Sequence, residues 1–315
     1  MSIDNTIVVN RDYEEVRASF LEALDDDKLK GEVNDLGSQP YFLPQIFPKT
    51  KGVGVRRLFK KKVALLQTIE PLLERMLFAG EEVRFASSGI YCNLAEQYFL
   101  GAFSSYINRT VFIFTNYRII LLNVGKNAKP LQMKWHIPYD QIKKFSTGGL
   151  SSSMVFKLKD KKRYTFSSMP SFDRKPAKAF VNEMIMRAQK EEFHMPSFEC
   201  RDNLCPSCYT PIPKSIYACE KCGDKFIQPK KPTLMSLCLP CLGDFYMGHR
   251  ALGVMELLGY SFMWVILAGR LIASGTSALP FVGFILLIEH GFDAILTNHM
   301  AKKGLVSVSK AWKAH

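Results

Sequence analysis

Val16, Phe20, Leu21 and Leu24 recur at helical spacing in RDYEEVRASFLEALDDDKLK (residues 11–30), which predicts one amphipathic helix. YFLPQIFPK (41–49) carries two prolines and predicts an extended connector. VALLQTIEPLLERMLFAG (63–80) predicts a helix with a break or kink before Pro71. From Glu81 the period falls to two. EEVRFASSGIYC reads as a strand, and TVFIFTNYRIILLNVG (110–125) as strand, Asn116-Tyr117 turn, strand. KWHIPYDQIKKFSTGG (134–149) reads as another strand. SMVFKLKDKKRYTFSSM (153–169) gives two more around Asp160-Lys161-Lys162. The longer period returns in PSFDRKPAKAFVNEMIMRAQKEE, where Ala179, Phe180, Glu183, Met184 and Arg187 mark a closing helix. An antiparallel sheet of this kind must hide its apolar face, and a bent β-barrel capped by the helix does so.

Beyond QPKKP (228–232) the chain turns apolar. Leu234–Leu242 is too short to cross a bilayer as a helix, which takes about 20 residues. Ala251–Gly269 has 19 residues and one charge, Glu256. After Arg270 comes an uncharged bend, ASGTSALP, then Phe281–Leu296. That last segment is long enough if Glu289, His290 and Asp293 enter the interface or face a partner helix. The expectation is a C-terminal α-helical membrane hairpin, with 234–242 in or dipping into the near interface. Arg270 with Glu289 and Asp293 is a candidate ion pair or oligomer contact, set against side chains that only snorkel at helix ends.

Cysteine spacing adds a module between sheet and hairpin. CPSCYTPIPKSIYACEKCG (205–223) pairs Cys205 with Cys208 and Cys219 with Cys222, ten residues apart. Two such knuckles present four thiolates to one ion, the tetrahedron that structural Zn²⁺ prefers. A closed all-thiolate shell leaves no open position for catalysis. Cys200 reads as a free thiol. Cys238 and Cys241 are surplus to the metal site; they read as small apolar residues in a packed segment or as a redox or lipidation pair. Seven of the eight cysteines lie between 200 and 241, and the metal spacing favours a reducing compartment.

The net charge of +13 is uneven: residues 1–48 hold ten acidic and four basic side chains, leaving +19 on the rest. KTKGVGVRRLFKKK (49–62) has seven basic residues and no acidic one. Its Arg56, Arg57, Lys60 and Lys61 suit anionic headgroups, or form the solvated end of a packed helix. Lys161, Lys162 and Arg163 offer a second basic rim, or keep a hairpin tip soluble. The polar, acidic N-terminus lacks the basic-then-apolar order of a secretory signal.

FIFTNYRIILLN, followed by HIPYDQIKKFS, the charged hairpin and the helix, resembles the pleckstrin-homology superfamily, in its bacterial PH or GRAM-like variety. That resemblance implies a module for membrane lipid or protein rather than a catalyst. Residues 205–223 resemble the short zinc ribbons of membrane-associated bacterial proteins; Tyr209 stands where many knuckles have Gly, and Gly223 keeps that place in the second. GDFYMGHRALGVMELLG resembles the TM2 membrane domain, whose two apolar segments are joined by an acidic-aromatic turn, here Asp244-Phe245-Tyr246. The expected organisation is a helical region with a basic stretch (1–80), a PH/GRAM-like domain (81–192), a zinc ribbon (200–228), a TM2-like domain (232–304) and a basic tail (305–315).

Lys225, Lys230 and Lys231 precede the apolar region and Lys302, Lys303, Lys310 and Lys313 follow it. This bias predicts a hairpin in the cell inner membrane with both ends and the soluble domains cytoplasmic. The function expected is a membrane-anchored binding, scaffold or sensor protein that meets anionic lipid and a protein partner. The alternatives are an oligomeric membrane effector or channel, and a membrane-tethered nucleic-acid-binding regulator. An enzyme is not expected: the chain has no phosphate-binding glycine loop and no His-Glu-x-x-His, and its histidines are dispersed and read as surface or interfacial.

Overall fold

A computed structural model describes residues 13–37, 39–91, 96, 98, 100–148, 153–190, 195 and 197–311. The chain divides into two compact units, residues 1–204 with 211–214, and residues 205–210 with 215–315.

In the first unit the helix expected over 11–30 is two, α1 (Tyr13–Glu22) and α2 (Asp27–Asn34). Asp26 makes the break: its backbone is extended and its carboxylate accepts from the Lys28 amide, capping α2. The 41–49 connector is not extended throughout. Leu43–Ile46 forms a short helix, α3, with Pro44 in its first turn, where no amide is needed. Tyr41, Leu43, Ile46 and Phe47 are buried there. Helix α4 (Val55–Met76) runs through Pro71 without a break. Its stripe of Phe59, Val63, Leu66, Ile69 and Leu73 is fully buried, and that packing outweighs one lost backbone hydrogen bond.

The strands are β1 (Val83–Tyr91), β2 (Arg109–Thr115), β3 (Arg118–Val124), β4 (Pro130–Pro138), β5 (Ile142–Thr147), β6 (Met154–Leu158) and β7 (Arg163–Ser167). A short helix, α5 (Ala102–Ile107), precedes β2, and α6 (Ser171–Gln189) follows β7. Two further short strands, β8 (Asp202–Leu204) and β9 (Pro211–Ile212), extend one end of the sheet. All pair antiparallel in the order β5-β6-β7-β1-β2-β3-β4-β8-β9. The single strand expected over 134–149 is two, because Pro138 ends β4 and Tyr139–Gln141 makes a 3-10 turn. Every residue of β3 is buried. Both faces of this strand are therefore covered, which explains why RIILLNV does not alternate. Helix α6 lies against β5 and the Tyr139 turn, with the Phe180 and Tyr139 rings edge to face at 6.3 Å. The expected antiparallel sheet with a capping helix is present.

The second unit holds the cysteine knuckles and then α7 (Lys230–Cys238), α8 (Leu242–Met247), α9 (Arg250–Ser274), α10 (Leu279–Ala301) and the short α11 (Val308–Ala311). The uncharged bend between α9 and α10 is a 3-10 turn, Gly275–Ala278. Tyr260 Oη lies 2.9 Å from His290 Nε2, which sets α9 and α10 antiparallel. The helical run Arg250–Ala301 has a mean hydropathy of 2.1 and is long and apolar enough to cross a membrane. Only 11 % of its most apolar window is buried within this chain. Phe262, Val265, Ile272, Leu287 and Ile295 all face outward.

The Asp244-Phe245-Tyr246 segment is helical rather than a turn. It forms α8, and the sharp backbone lies on its flanks, at Cys241 (φ 81°) and Gly248 (φ 87°). The 234–242 segment is likewise not one piece, since α7 ends at Cys238 and α8 starts at Leu242.

Candidate metal centre

The two knuckles repeat one backbone pattern. In the first, the Tyr209 amide donates to the Cys205 carbonyl (3.0 Å) and the Cys205 amide to the Thr210 carbonyl (2.9 Å). In the second, the Gly223 amide donates to the Cys219 carbonyl and the Cys219 amide to the Asp224 carbonyl, both at 2.8 Å. The pattern needs a left-handed residue after the second cysteine of each pair, and Tyr209 (φ 60°) and Gly223 (φ 72°) fill those positions. Tyr209 thus adopts a conformation that costs an L side chain free energy.

These turns aim four sulfurs at one point. All four lie within 4.8 Å of one another, close enough to hold one metal ion. Cys205 Sγ is 3.6 Å from Cys222 Sγ, and Cys208 Sγ is 3.5 Å from Cys219 Sγ. A tetrahedron with bonds of about 2.3 Å places its sulfurs about 3.8 Å apart, so the set matches one shared ion. Cys205 and Cys219 are buried and Cys222 is exposed. Asp224 braces the module: Ser207 Oγ donates to its Oδ2 (2.8 Å) and Ser307 Oγ to its Oδ1 (2.7 Å). Cys200 lies in the other unit, where its Sγ is 3.2 Å from Gln141 Oε1. Cys238 is exposed, Cys241 buried, and both are free thiols.

Among the basic candidates, Arg56, Arg57, Lys60 and Lys61 are exposed on the first two turns of α4. Arg56 pairs with Asp26 at 2.8 Å, so acidic N-terminal residues cover part of the stretch. Lys62, in the same run, is buried. Its Nζ lies 2.7 Å from Asp173 Oδ1 and donates to the Ile46 carbonyl (2.7 Å), while Ser87 Oγ donates to Asp173 Oδ2. Lys161, Lys162 and Arg163 are exposed at the β6–β7 turn, with Lys162 paired to Asp160 at 2.6 Å. In the second unit, Asp244 and Tyr246 are buried, Phe245 is half-buried, and the Lys231 ammonium sits 4.6 Å from the Tyr246 ring centre. Arg270 is exposed near the end of α9, whereas Asp293 lies fourteen residues into α10. In an antiparallel pair that separates them by about 15 Å along the axis, so the fold does not bring Arg270 to Asp293. Glu289 is half-buried on α10.

A buried polar network escaped the sequence reading. Arg118, just after the Asn116-Tyr117 turn, forks onto Glu81 with Nε–Oε1 2.9 Å and Nη2–Oε2 3.0 Å. Its Nη2 also donates to the Met76 carbonyl (2.7 Å). Its Nη1 lies 3.1 Å from His136 Nδ1, and His136 Nε2 lies 3.1 Å from Asp202 Oδ2. His136 is 0 % exposed, contrary to the surface placement expected of it, because it sits mid-strand on β4 beside Arg118 of β3. Thr115 and Asn116 are equally committed. Thr115 Oγ1 accepts from the amides of Tyr117 and Arg118, and Asn116 Oδ1 accepts from the Glu82 amide. The visible signal was the Thr-Asn-x-Arg string; its buried partners lie far along the chain.

No protein-family profile matches this chain, and no curated protein does. Among solved structures, it is similar to the hSac2 domain from human phosphoinositide phosphatase Sac2, at 12% identity over 48% of this chain and 95% of that one, with a TM-score of 0.27. A crystal structure of the C-terminal domain of an unknown protein from Leishmania infantum aligns at 12% identity over 38% of this chain and 93% of that one, with a TM-score of 0.26.

Proposed function

We propose that this chain is a membrane-anchored binding or scaffold protein, built from a PH/GRAM-like module, a structural zinc ribbon and a TM2-like hairpin in the inner membrane. The observation that carries the reading is the way the apolar run begins and ends. The Ile227 amide donates to the Val306 carbonyl (2.9 Å) and the Val308 amide to the Lys225 carbonyl (2.8 Å), so the chain just before the apolar run pairs with the chain just after it. A helical pair whose ends are tied together returns to the side it left. With Lys225, Lys230, Lys231, Lys302 and Lys303 at those ends, that side is the cytoplasmic one. The four thiolates hold Zn²⁺ and fold the ribbon, which has no catalytic step to perform. The antiparallel sheet and closing helix support the PH/GRAM-like reading. Arg57, Lys60 and Lys61 supply charge for anionic headgroups, with Lys161 and Arg163 as a second rim.

Fractionation of cells expressing the full chain tests this. The protein is expected in the membrane fraction, resistant to alkaline extraction, with one zinc per chain. A soluble protein without zinc overturns the reading.

A further inference from the structure

Three carboxylates of the second unit meet away from the cysteine cluster. One oxygen each of Asp244 (α8), Glu256 (α9) and Asp293 (α10) lie within 4.8 Å of one another. The sequence separates them by up to 49 positions, and packing brings them together. Glu256 is six residues beyond the start of α9 and Asp293 eight before the end of α10, so both sit about 10 Å inside the hairpin from its tied ends. Helix α8 closes the group from the side. Gly243 permits this approach: a Cβ there would stand 2.6 Å from the Pro232 carbonyl oxygen and 2.6 Å from Thr297 Cγ2.

The surroundings call for positive charge. Asp244 is 1 % exposed and Asp293 7 %. His249 Nδ1 lies 3.0 Å from Asp244 Oδ1, and the Cys241 amide donates to Asp293 Oδ2 at 3.2 Å, contacts that suit ionised carboxylates. The opposite oxygen, Asp244 Oδ2, is buried with no hydrogen-bond donor among the described residues, and so is Glu256 Oε2. Buried carboxylate oxygens left bare beside other anions are unstable unless a cation or proton lies among them. A proton neutralises one carboxylate, whereas three oxygens from three helices surround a volume suited to an ion. Opposite ligands of Mg²⁺ stand about 4 Å apart and those of Ca²⁺ about 5 Å apart, so oxygens that all lie within 4.8 Å of one another can share one such ion.

We propose that Asp244, Glu256 and Asp293 bind one hard divalent cation, of the magnesium, manganese or calcium class, near the tied end of the helical hairpin. Such an ion pins α8 onto both long helices. Its oxygen donors distinguish it from the thiolate set, which selects a softer metal.

The test uses the full chain in detergent, stripped of weakly bound metal and titrated with Mn²⁺, with Mn²⁺ spin resonance and thermal unfolding as readouts. One saturable Mn²⁺ per chain is expected, competed by Ca²⁺ or Mg²⁺ and raising the unfolding temperature. Glu256→Gln is expected to weaken it at least tenfold; Glu256 is only half-buried, so this variant keeps the packing. Glu256→Gln leaves all four cysteines in place, so its comparison with wild type separates this site from the thiolate set. Folded wild-type protein that takes up no Mn²⁺ at millimolar concentration overturns the proposal and leaves proton sharing as the account of the cluster. Binding that Glu256→Gln leaves unchanged overturns it as well.

Discussion

Arg118 faces Nδ1 of His136 at 3.1 Å across two paired strands, and this contact sets the state of the imidazole. Arg118 is always charged and can only donate, so Nδ1 accepts. The ring proton is then on Nε2, directed to Asp202 at 3.1 Å. Burial holds His136 below its ordinary value; Asp202 opposes that shift and Arg118 reinforces it. The unfolded chain takes a proton near pH 6.5 that the folded chain refuses. This site therefore contributes stability at neutral pH that is lost as pH falls below about 6.5 toward the depressed folded value. Unfolding midpoints measured from pH 7.5 to 5 should drop less in His136→Gln than in wild type.

The Arg118–Glu81 fork is buried on both sides. Removing one partner strands the other charge in the interior, at a cost of about 3–5 kcal/mol. Arg118→Met should destabilise the first unit by that amount, and adding Glu81→Gln should recover much of it. Chemical denaturation of the two variants measures the coupling; additive losses would contradict it.

Neighbouring lysines on α4 divide into two roles. Lys60→Ala with Lys61→Ala should lower recruitment of anionic vesicles to the protein held in neutral-lipid nanodiscs, and leave the unfolding temperature unchanged. Lys62→Met should do the reverse, because Lys62 is buried against Asp173. Losing that pair costs about 3 kcal/mol or more. Equal effects on both readouts would count against the division.

Tyr209 occupies the left-handed position that Gly223 fills in the other knuckle. Tyr209→Gly removes a conformational cost of about 1–2 kcal/mol. Metal retention against a chelator should lengthen, whereas Gly223→Tyr should shorten it.

Gly243 has backbone as one of its close neighbours, the Pro232 carbonyl, and backbone does not yield as a flexible side chain does. Gly243→Ala should separate α8 from α7 and α10 and lower the unfolding temperature by several degrees, at about 1–3 kcal/mol of overpacking. Gly283→Ala, with open space around the added carbon, is the matched control and should change little.

What the chain determined alone was local. The Cys-x2-Cys knuckles form because each is closed by hydrogen bonds four and five residues apart. The strands around Asn116-Tyr117 follow from continuous apolar runs on either side of a turn, and those around Asp160-Lys161-Lys162 from a two-residue period and turn chemistry. The apolar run after residue 250 follows from its length and composition. Periodicity failed where a single side chain or a tertiary neighbour had the stronger claim: Asp26 split one helix, Pro71 was absorbed into another, and β3 lost its alternation because both its faces are covered. Only tertiary structure decided which charges are buried. Lys62 and Lys61 are adjacent and chemically identical, yet one faces Asp173 and the other water. Asp293, one candidate partner for Arg270, instead meets Asp244 and Glu256, because helix register sets partners in space and no spacing rule reaches across three helices.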